Sequence, residues 1–315
     1  MKWLPLVAAL PAFCAVNGVV VNRTSGKPQP QATVTIYKLG DAGMESMETV
    51  KSDAQGKFAM NYSASAGPHL IQAAYDGVTY NKMVPPGTPS TGLSVEVYDS
   101  QAKPGEAKVT QHMLLLEPVD AKLIVSENVI YVNSGNLTFN DPTGGTLRFY
   151  LPPPARGKVK VMGSAPNGMP IERAAFATKA ENVYAVDFPI KPGETRFQLS
   201  YEMPLPDPAT FQGRILHEGV TRLVAPRGVS LKGDSLEDLG REPQTQAAIY
   251  SVKGKEFQLS IEGKGSLRNE ASDEEGPGIQ EILPRVYDRL YTVLGLASLI
   301  LVLGLIVLYR GGVRG

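Results

Sequence analysis

The chain has 315 residues, with 31 Lys plus Arg against 31 Asp plus Glu, 32 Gly, 25 Pro and one Cys. Balanced charge leaves no basic field to attract nucleic acid or anionic lipid, so a nucleic-acid-binding role is excluded. A single cysteine excludes both a disulfide framework and a cysteine-rich zinc site, so an exported fold here depends on apolar burial.

In chain order, residues 1–14 read as a signal peptide. Met1-Lys2 is a short basic start, and Trp3 to Phe13 is apolar but too short to span a bilayer. Ala12-Phe13-Cys14 places small residues at the minus-three and minus-one positions of a cleavage site. Cleavage after Cys14 is expected. Lipidation of Cys14 is the competing reading, although bulky Phe13 occupies a position where lipoprotein signals take a small residue. An uncleaved N-terminal anchor is a third.

Residues 15–102 predict a first β-sandwich of seven short strands. Val16 to Val21 is the first, followed by the turn Asn22 to Pro28. Ala32 to Tyr37 alternates with period two, placing Ala32, Val34 and Ile36 on one face. Thr49 to Ser52 leads through the tight turn Asp53-Ala-Gln-Gly56 into Lys57 to Met60. His69 to Tyr75 and Val78 to Tyr80 make a hairpin about Asp76-Gly77, and Leu93 to Tyr98 closes the domain.

The series Gly18-Val-Val-Val-Asn22, Thr24-Ser-Gly26-Lys-Pro28, Ala32-Thr-Val34 and Ser52-Asp53-Ala-Gln-Gly56-Lys-Phe58 resembles the carboxypeptidase regulatory-like domain. That family has a transthyretin-like, prealbumin-type seven-stranded Greek-key sandwich. The resemblance implies a non-catalytic folding or binding module and does not import the zinc chemistry of the peptidases it accompanies. The B-type repeats of collagen adhesins are the alternative resemblance. Their Lys–Asn isopeptide bond has no assignable position here.

Residues 105–263 predict a second, larger sandwich. Its strands are Lys108 to Leu116, Ala121 to Ser126, Val129 to Val132, Leu137 to Phe139, Thr146 to Leu151, Val183 to Val186, Thr195 to Tyr201, Arg214 to His217 and Phe257 to Ile261. An irregular excursion is expected at 205–245. Phe-Gln-Leu-Ser recurs at 197–200 and 257–260, a weak hint of duplication. Residues 264–287, with Asp273-Glu-Glu275 and Gly276-Pro-Gly278, read as an extended stalk.

Residues 288–309 predict a transmembrane helix. Leu290 to Leu308 contains no charge, and at about 1.5 Å per residue it reaches about 28 Å, the thickness of a hydrocarbon core. Tyr291 and Tyr309 stand where interfacial aromatics belong, and Arg310 to Gly315 forms a short cytoplasmic tail.

Motifs for chemistry are sparse. His69, His112 and His217 are isolated in sequence, and none sits in a zinc-binding pattern. Gly144-Gly145 lacks the lysine and helix of a phosphate loop, and Asp53 and Asp76 each precede a turn glycine, which favours capping over calcium. Asn22, Asn61 and Asn136 head glycosylation patterns that matter only in a eukaryotic secretory route. Tyr131, Phe139, Phe149, Tyr150, Tyr184, Phe188, Phe197 and Tyr201 form either a sugar-stacking platform or, the favoured reading, core packing.

The reading is therefore an all-β protein of two β-sandwich domains plus one C-terminal transmembrane helix, single-pass in a bacterial inner membrane, with the sandwiches periplasmic. It is expected to bind or scaffold envelope components without catalysis, cofactor or metal. Its partners are the lipid bilayer through residues 288–309 and an envelope protein or polysaccharide. No catalytic, metal or ligand-binding residue is assigned. A carbohydrate- or peptidoglycan-binding module is one alternative. A hydrolase or metal-dependent enzyme is the other, and it requires two histidines and a carboxylate meeting in a cleft.

Overall fold

Period-two alternation builds the first sandwich, in which Val16, Gly18, Val20 and Asn22 of the strand Val16–Asn22 face inward. The computed structural model describes residues 16–40, 43–62 and 67–267. The predicted signal peptide, transmembrane helix and tail, and the stalk beyond Leu267, lie outside the described residues. Among those described, no helix is long and apolar enough to cross a membrane, and the regular structure is β-strand apart from the 3₁₀ turn Pro153–Ala155.

Val16–Asn22 pairs antiparallel with Lys57–Met60 and parallel with Leu93–Val97, and the two-residue strand Lys27–Pro28 folds back on its end. The facing sheet has the order Gly43–Lys51, Thr33–Gly40, His69–Tyr75, Val78–Val84, all antiparallel. Val20, Val34, Ile36, Phe58, Ile71 and Val95 fill the space between them. Gly18 is required where Phe58 and the Leu93 carbonyl press on the first strand, since a Cβ there would run into both. Asp76 and Gly77, at φ 48° and 73°, make the expected hairpin turn.

The second region is organised by an eight-stranded sheet. Its order is Ile171–Arg173, Lys160–Ser164, Gly193–Pro204, Lys122–Asn133, Ala107–Val119, Thr221–Ala225, Ala248–Val252, Leu236–Arg241. Two three-stranded sheets cover it: Leu147–Tyr150, Val183–Val186 and Ala175–Ala177 form one, and Thr210–Arg214, Glu256–Glu262 and Ser230–Lys232 the other. One core joins the layers through Leu116, Leu123, Val125, Phe197, Leu199, Phe211 and Leu223.

Three expectations change here. Residues 121–126 and 129–132 belong to one strand, Lys122–Asn133, whose burial alternates without a break. The stretch 205–245 is not irregular: it contributes Thr210–Arg214, Thr221–Ala225, Ser230–Lys232 and Leu236–Arg241. Strand structure ends at Arg214 instead of running to His217, and after Ile215 N–H donates to Lys255 O (2.7 Å) the chain leaves the sheet as a loop. The repeated tetrapeptides fall in different sheets, in Gly193–Pro204 and Glu256–Glu262, with different neighbours.

A polar seam ties the two regions. Ser100–Gln101 pairs parallel with Thr138–Phe139. The Tyr80 hydroxyl donates to Tyr98 O (2.8 Å) and lies 2.9 Å from Thr138 Oγ1. Lys191 Nζ donates to Thr79 O and sits 5.0 Å from the Tyr80 ring centroid. At the other end of the second region, residues 264–267, assigned to the stalk by sequence, are bound to the Ala107–Val119 strand. Gly265 N–H donates to Pro118 O (3.2 Å). Fully buried Glu117 accepts from Ser266 Oγ and Leu267 N–H, both at 2.7 Å.

Candidate functional site

A cleft of about 660 Å³ opens beside the seam. Its lining comes from the connecting segment 102–105 and the start of the Ala107–Val119 strand, from Tyr131 and Phe139, from the Asp141–Arg148 turn and from the loop Leu216–Gly219. Tyr131 and Phe139 are 8% and 5% exposed and anchor the cleft to the core. Burial pushes the Tyr131 phenol up to about 12, against a small opposing effect of Arg148.

Polar groups on the rim are held by local bonds. Asp141 Oδ1 accepts from Gly144 N–H (2.8 Å), and Arg148 Nε donates to Gly144 O (3.1 Å) with its other nitrogen 3.9 Å from Asp141. Gly144-Gly145 therefore closes a turn. Lys108 stands on the rim, exposed, 3.8 Å from Glu106.

Behind the Leu216–Gly219 wall lies a buried polar cluster that sequence reasoning missed. His112 Nε2 is 2.5 Å from Glu127 Oε1, and its Nδ1 is 3.0 Å from Thr221 Oγ1. His112 and Glu127 are each 5% exposed and Thr221 is 1% exposed. Strand register brings them together: His112 pairs with Thr221 on one side and with Val129 on the other, which makes Glu127 its same-face diagonal neighbour. A signal was present. Glu127 falls in the inward series Leu123, Val125, Glu127, Val129, Tyr131, a core position for a carboxylate that requires a partner. The partner was hidden by a bulge between Val109 and Gln111, which turns His112 inward.

His217 closes the cluster. Its ring meets that of His112 at 4.4 Å between centroids and 76° between planes. Its Nδ1 lies 3.2 Å from Glu218 O, and because a carbonyl only accepts, Nδ1 carries the hydrogen and Nε2 the lone pair. That Nε2 is shut from solvent with no hydrogen-bond partner among the described residues. Burial first, and His112 second, lower the His217 pKa to about 4. His112 and His217, isolated in sequence, thus meet in space. His69 stays apart in the first sandwich, 3.1 Å from the Tyr62 hydroxyl.

The order Thr221–His112–Glu127 matches that of a nucleophile, base and carboxylate. Thr221 is closed to solvent, however, and its hydroxyl is engaged by His112. Among the described residues, no group of three or more His, Cys, Asp or Glu is placed to hold a metal. The other candidates resolve structurally. Asp53 Oδ1 caps its turn by accepting from Gln55 and Lys57 N–H, and Asp76 Oδ2 accepts from Ser100 N–H and Oγ. Asn22 is 3% exposed and bonded to Asp99, which leaves no space for a glycan. Of the eight aromatic rings, Tyr131, Phe139, Phe149, Phe188, Phe197 and Tyr201 are buried, so they pack the core and form no exposed stacking platform.

No protein-family model matches the chain, and no curated protein matches it. Solved structures with local likeness include two of a mutant M1 zinc metallopeptidase from Deinococcus radiodurans, one of them bound to a Tyr-Ser-Ala substrate. Each shows 13% identity over 50% of this chain and 42% of that one, with a TM-score of 0.27. The chain thus spans less than half the length of those peptidases. A likeness at that score transfers neither fold nor chemistry.

Proposed function

We propose that this chain is a membrane-tethered, non-catalytic binding protein of a bacterial envelope, and that the cleft beside the seam receives an envelope component. The observation that carries the reading is where the cleft lies. It is a concave site walled by the segment that connects the two sandwiches, by Tyr131 and Phe139 and by a turn and a loop of the second region, the kind of place where ligand sites concentrate. Tyr131, Phe139 and Val109 offer apolar surface there, and Lys108, Arg148 and Asp141 offer a few oriented polar groups.

The tether is supported by the uncharged run Leu290 to Leu308 and by the signal-like start. The regulatory-like resemblance of residues 16 to about 100 supports an accessory role, and a two-sheet sandwich is the architecture that such a resemblance implies. Fractionation of expressing cells tests the tether. The intact chain is expected in the membrane pellet, with residues 16–267 digested by protease only after the outer barrier is opened. Recovery in the soluble cytosol would overturn it.

A hydrolytic reading draws on one specific observation, the meeting of His112, His217 and Glu127 next to a cleft. It requires Thr221 to act as nucleophile, so an active-site hydroxyl probe such as a fluorophosphonate would label wild type and spare Thr221→Val. The binding reading expects no labelling of either.

A further inference from the structure

The loop Leu216–Gly219 is at once a wall of the cleft and the lid over the buried histidine. It leaves the three-stranded sheet of Thr210–Arg214 after the Ile215 N–H bond to Lys255 O and enters the eight-stranded sheet at Thr221, which pairs with His112. Gly219, at φ +112°, supplies a position where the chain can swing without Cβ strain. Leu216 and Val220 on this loop are 37% and 59% exposed, so little apolar burial holds it down.

The two imidazoles it brings together are not equivalent. Both nitrogens of His112 are engaged, one by Glu127 and one by Thr221. His217 has its lone pair at Nε2, closed off from water and with no acceptor or donor opposite it among the described residues. A proton placed there would be an unpaired charge in an apolar wall, and it is relieved only when the ring moves out to solvent.

We propose that acid opens the cleft: protonation of His217 drives the Leu216–Gly219 wall away from His112 and widens the site, so that pH outside the cytoplasm regulates access to it. This rests on the reading of the cleft as a binding site. The groups facing His217 are consistent with opening. From the strands behind it come His112, Glu127 and Thr221. Glu127 is the only acid in that set, and its Oε1 is already bound by His112. Tyr201, whose pKa burial and Glu127 raise well above the ordinary value, remains neutral through the acid range. Arg214, at the end of the strand that precedes the loop, is paired with Glu256 at 2.9 Å. On its own loop, Glu218 accepts from the ring through its backbone carbonyl and carries an exposed side chain. Across the cleft, Arg148 and Lys108 carry positive charge against Asp141 and Glu106. Among these, the carboxylates of Glu127, Asp141, Glu106 and Glu256 each already face a partner.

Hydrogen exchange on the full chain in detergent, normalised for intrinsic rates, reads the gate without any ligand. Between pH 6.5 and 4, protection of peptides covering 215–220 is expected to fall on the order of a hundredfold, while 123–131 stays protected. His217→Phe keeps a ring on His112 but takes no proton, and it is expected to hold protection flat. A wild-type loop with unchanged protection, or an equal fall in His217→Phe, would overturn the gate. Should the variant loosen 123–131 at pH 7, the wild-type His217 Cε1 resonance decides instead. Loop amides that shift with the imidazole's own midpoint support the gate, and loop amides with another midpoint, or none, sink it. Failure here leaves the binding reading standing, because that reading is judged by occupancy of the cleft and not by loop motion.

Discussion

His112 and Glu127 stand as diagonal neighbours on adjacent antiparallel strands, with Nε2 2.5 Å from Oε1 and both side chains nearly closed to water. A donor and an acceptor in this position are worth little as a pair over an apolar core, yet costly to separate. Glu127→Ala is expected to destabilise the protein by about 3 kcal/mol, since His112 then keeps a buried donor without an acceptor. Replacing both residues by Leu is expected to fall within about 1 kcal/mol of wild type. Denaturant unfolding of the wild type and these two variants checks both values, and a cost for Glu127→Ala below that of the double variant would contradict the account.

The seam makes a second prediction. Tyr80→Phe removes the hydroxyl shared by Tyr98 O and Thr138 Oγ1 and should cost about 1–2 kcal/mol. Hydrogen exchange is expected to rise first at Ser100–Gln101 and Thr138–Phe139, the strand pair that joins the regions. A loss confined to the first sandwich would show that the seam is not cooperative.

Lys191 gives a pH dependence of known sign. Burial lowers its pKa from 10.5 to about 8, so between these values the unfolded chain holds a proton that the folded chain has released. Stability therefore rises with pH across that window, and the penalty is fully present below it. Tyr75, Tyr80 and Tyr131, pushed up to about 12, act oppositely above pH 10, where the unfolded phenols ionise first. Melting temperature is expected to climb from pH 8 toward 10 and then fall. Lys191→Met should flatten the climb, which a thermal series at half-unit steps would show.

Glu117 clamps the end of the described chain through Ser266 and Leu267. Glu117→Ala should free this strap, and trypsin cleavage after Lys264 is expected to accelerate about tenfold, following the loss of local protection. An unchanged cleavage rate at Lys264, with the fold intact by circular dichroism, would show that the strap is held by other contacts.

Local chemistry was legible in the sequence and long-range pairing was not. The Asp76-Gly77 and Asp53–Gly56 turns were readable because turn type depends on the residues within them. Ala32, Val34 and Ile36 were readable as one buried face because alternation is local. Thr221–Ala225 was not, since its place comes from parallel pairing with His112–Leu115 across more than a hundred residues. Ile215 and His217 alternate like a strand, yet the chain turns out of the sheet at Ile215 and reaches Gly219 in a conformation no strand uses. The cleft depends on that departure, and so does the contact between His112 and His217. Two histidines isolated in sequence could be joined only by knowing the bulge after Val109 and the loop together.

The central claim is that the cleft beside the seam is occupied in the cell. A photo-crosslinking amino acid at Lys108, on the cleft rim, compared with one at Thr49, on the edge strand of the first sandwich, tests it most directly in intact cells. The account predicts one discrete, stoichiometric adduct with an envelope component from position 108, and no adduct of that size from position 49. Equal labelling from both positions, or none from 108, would contradict it.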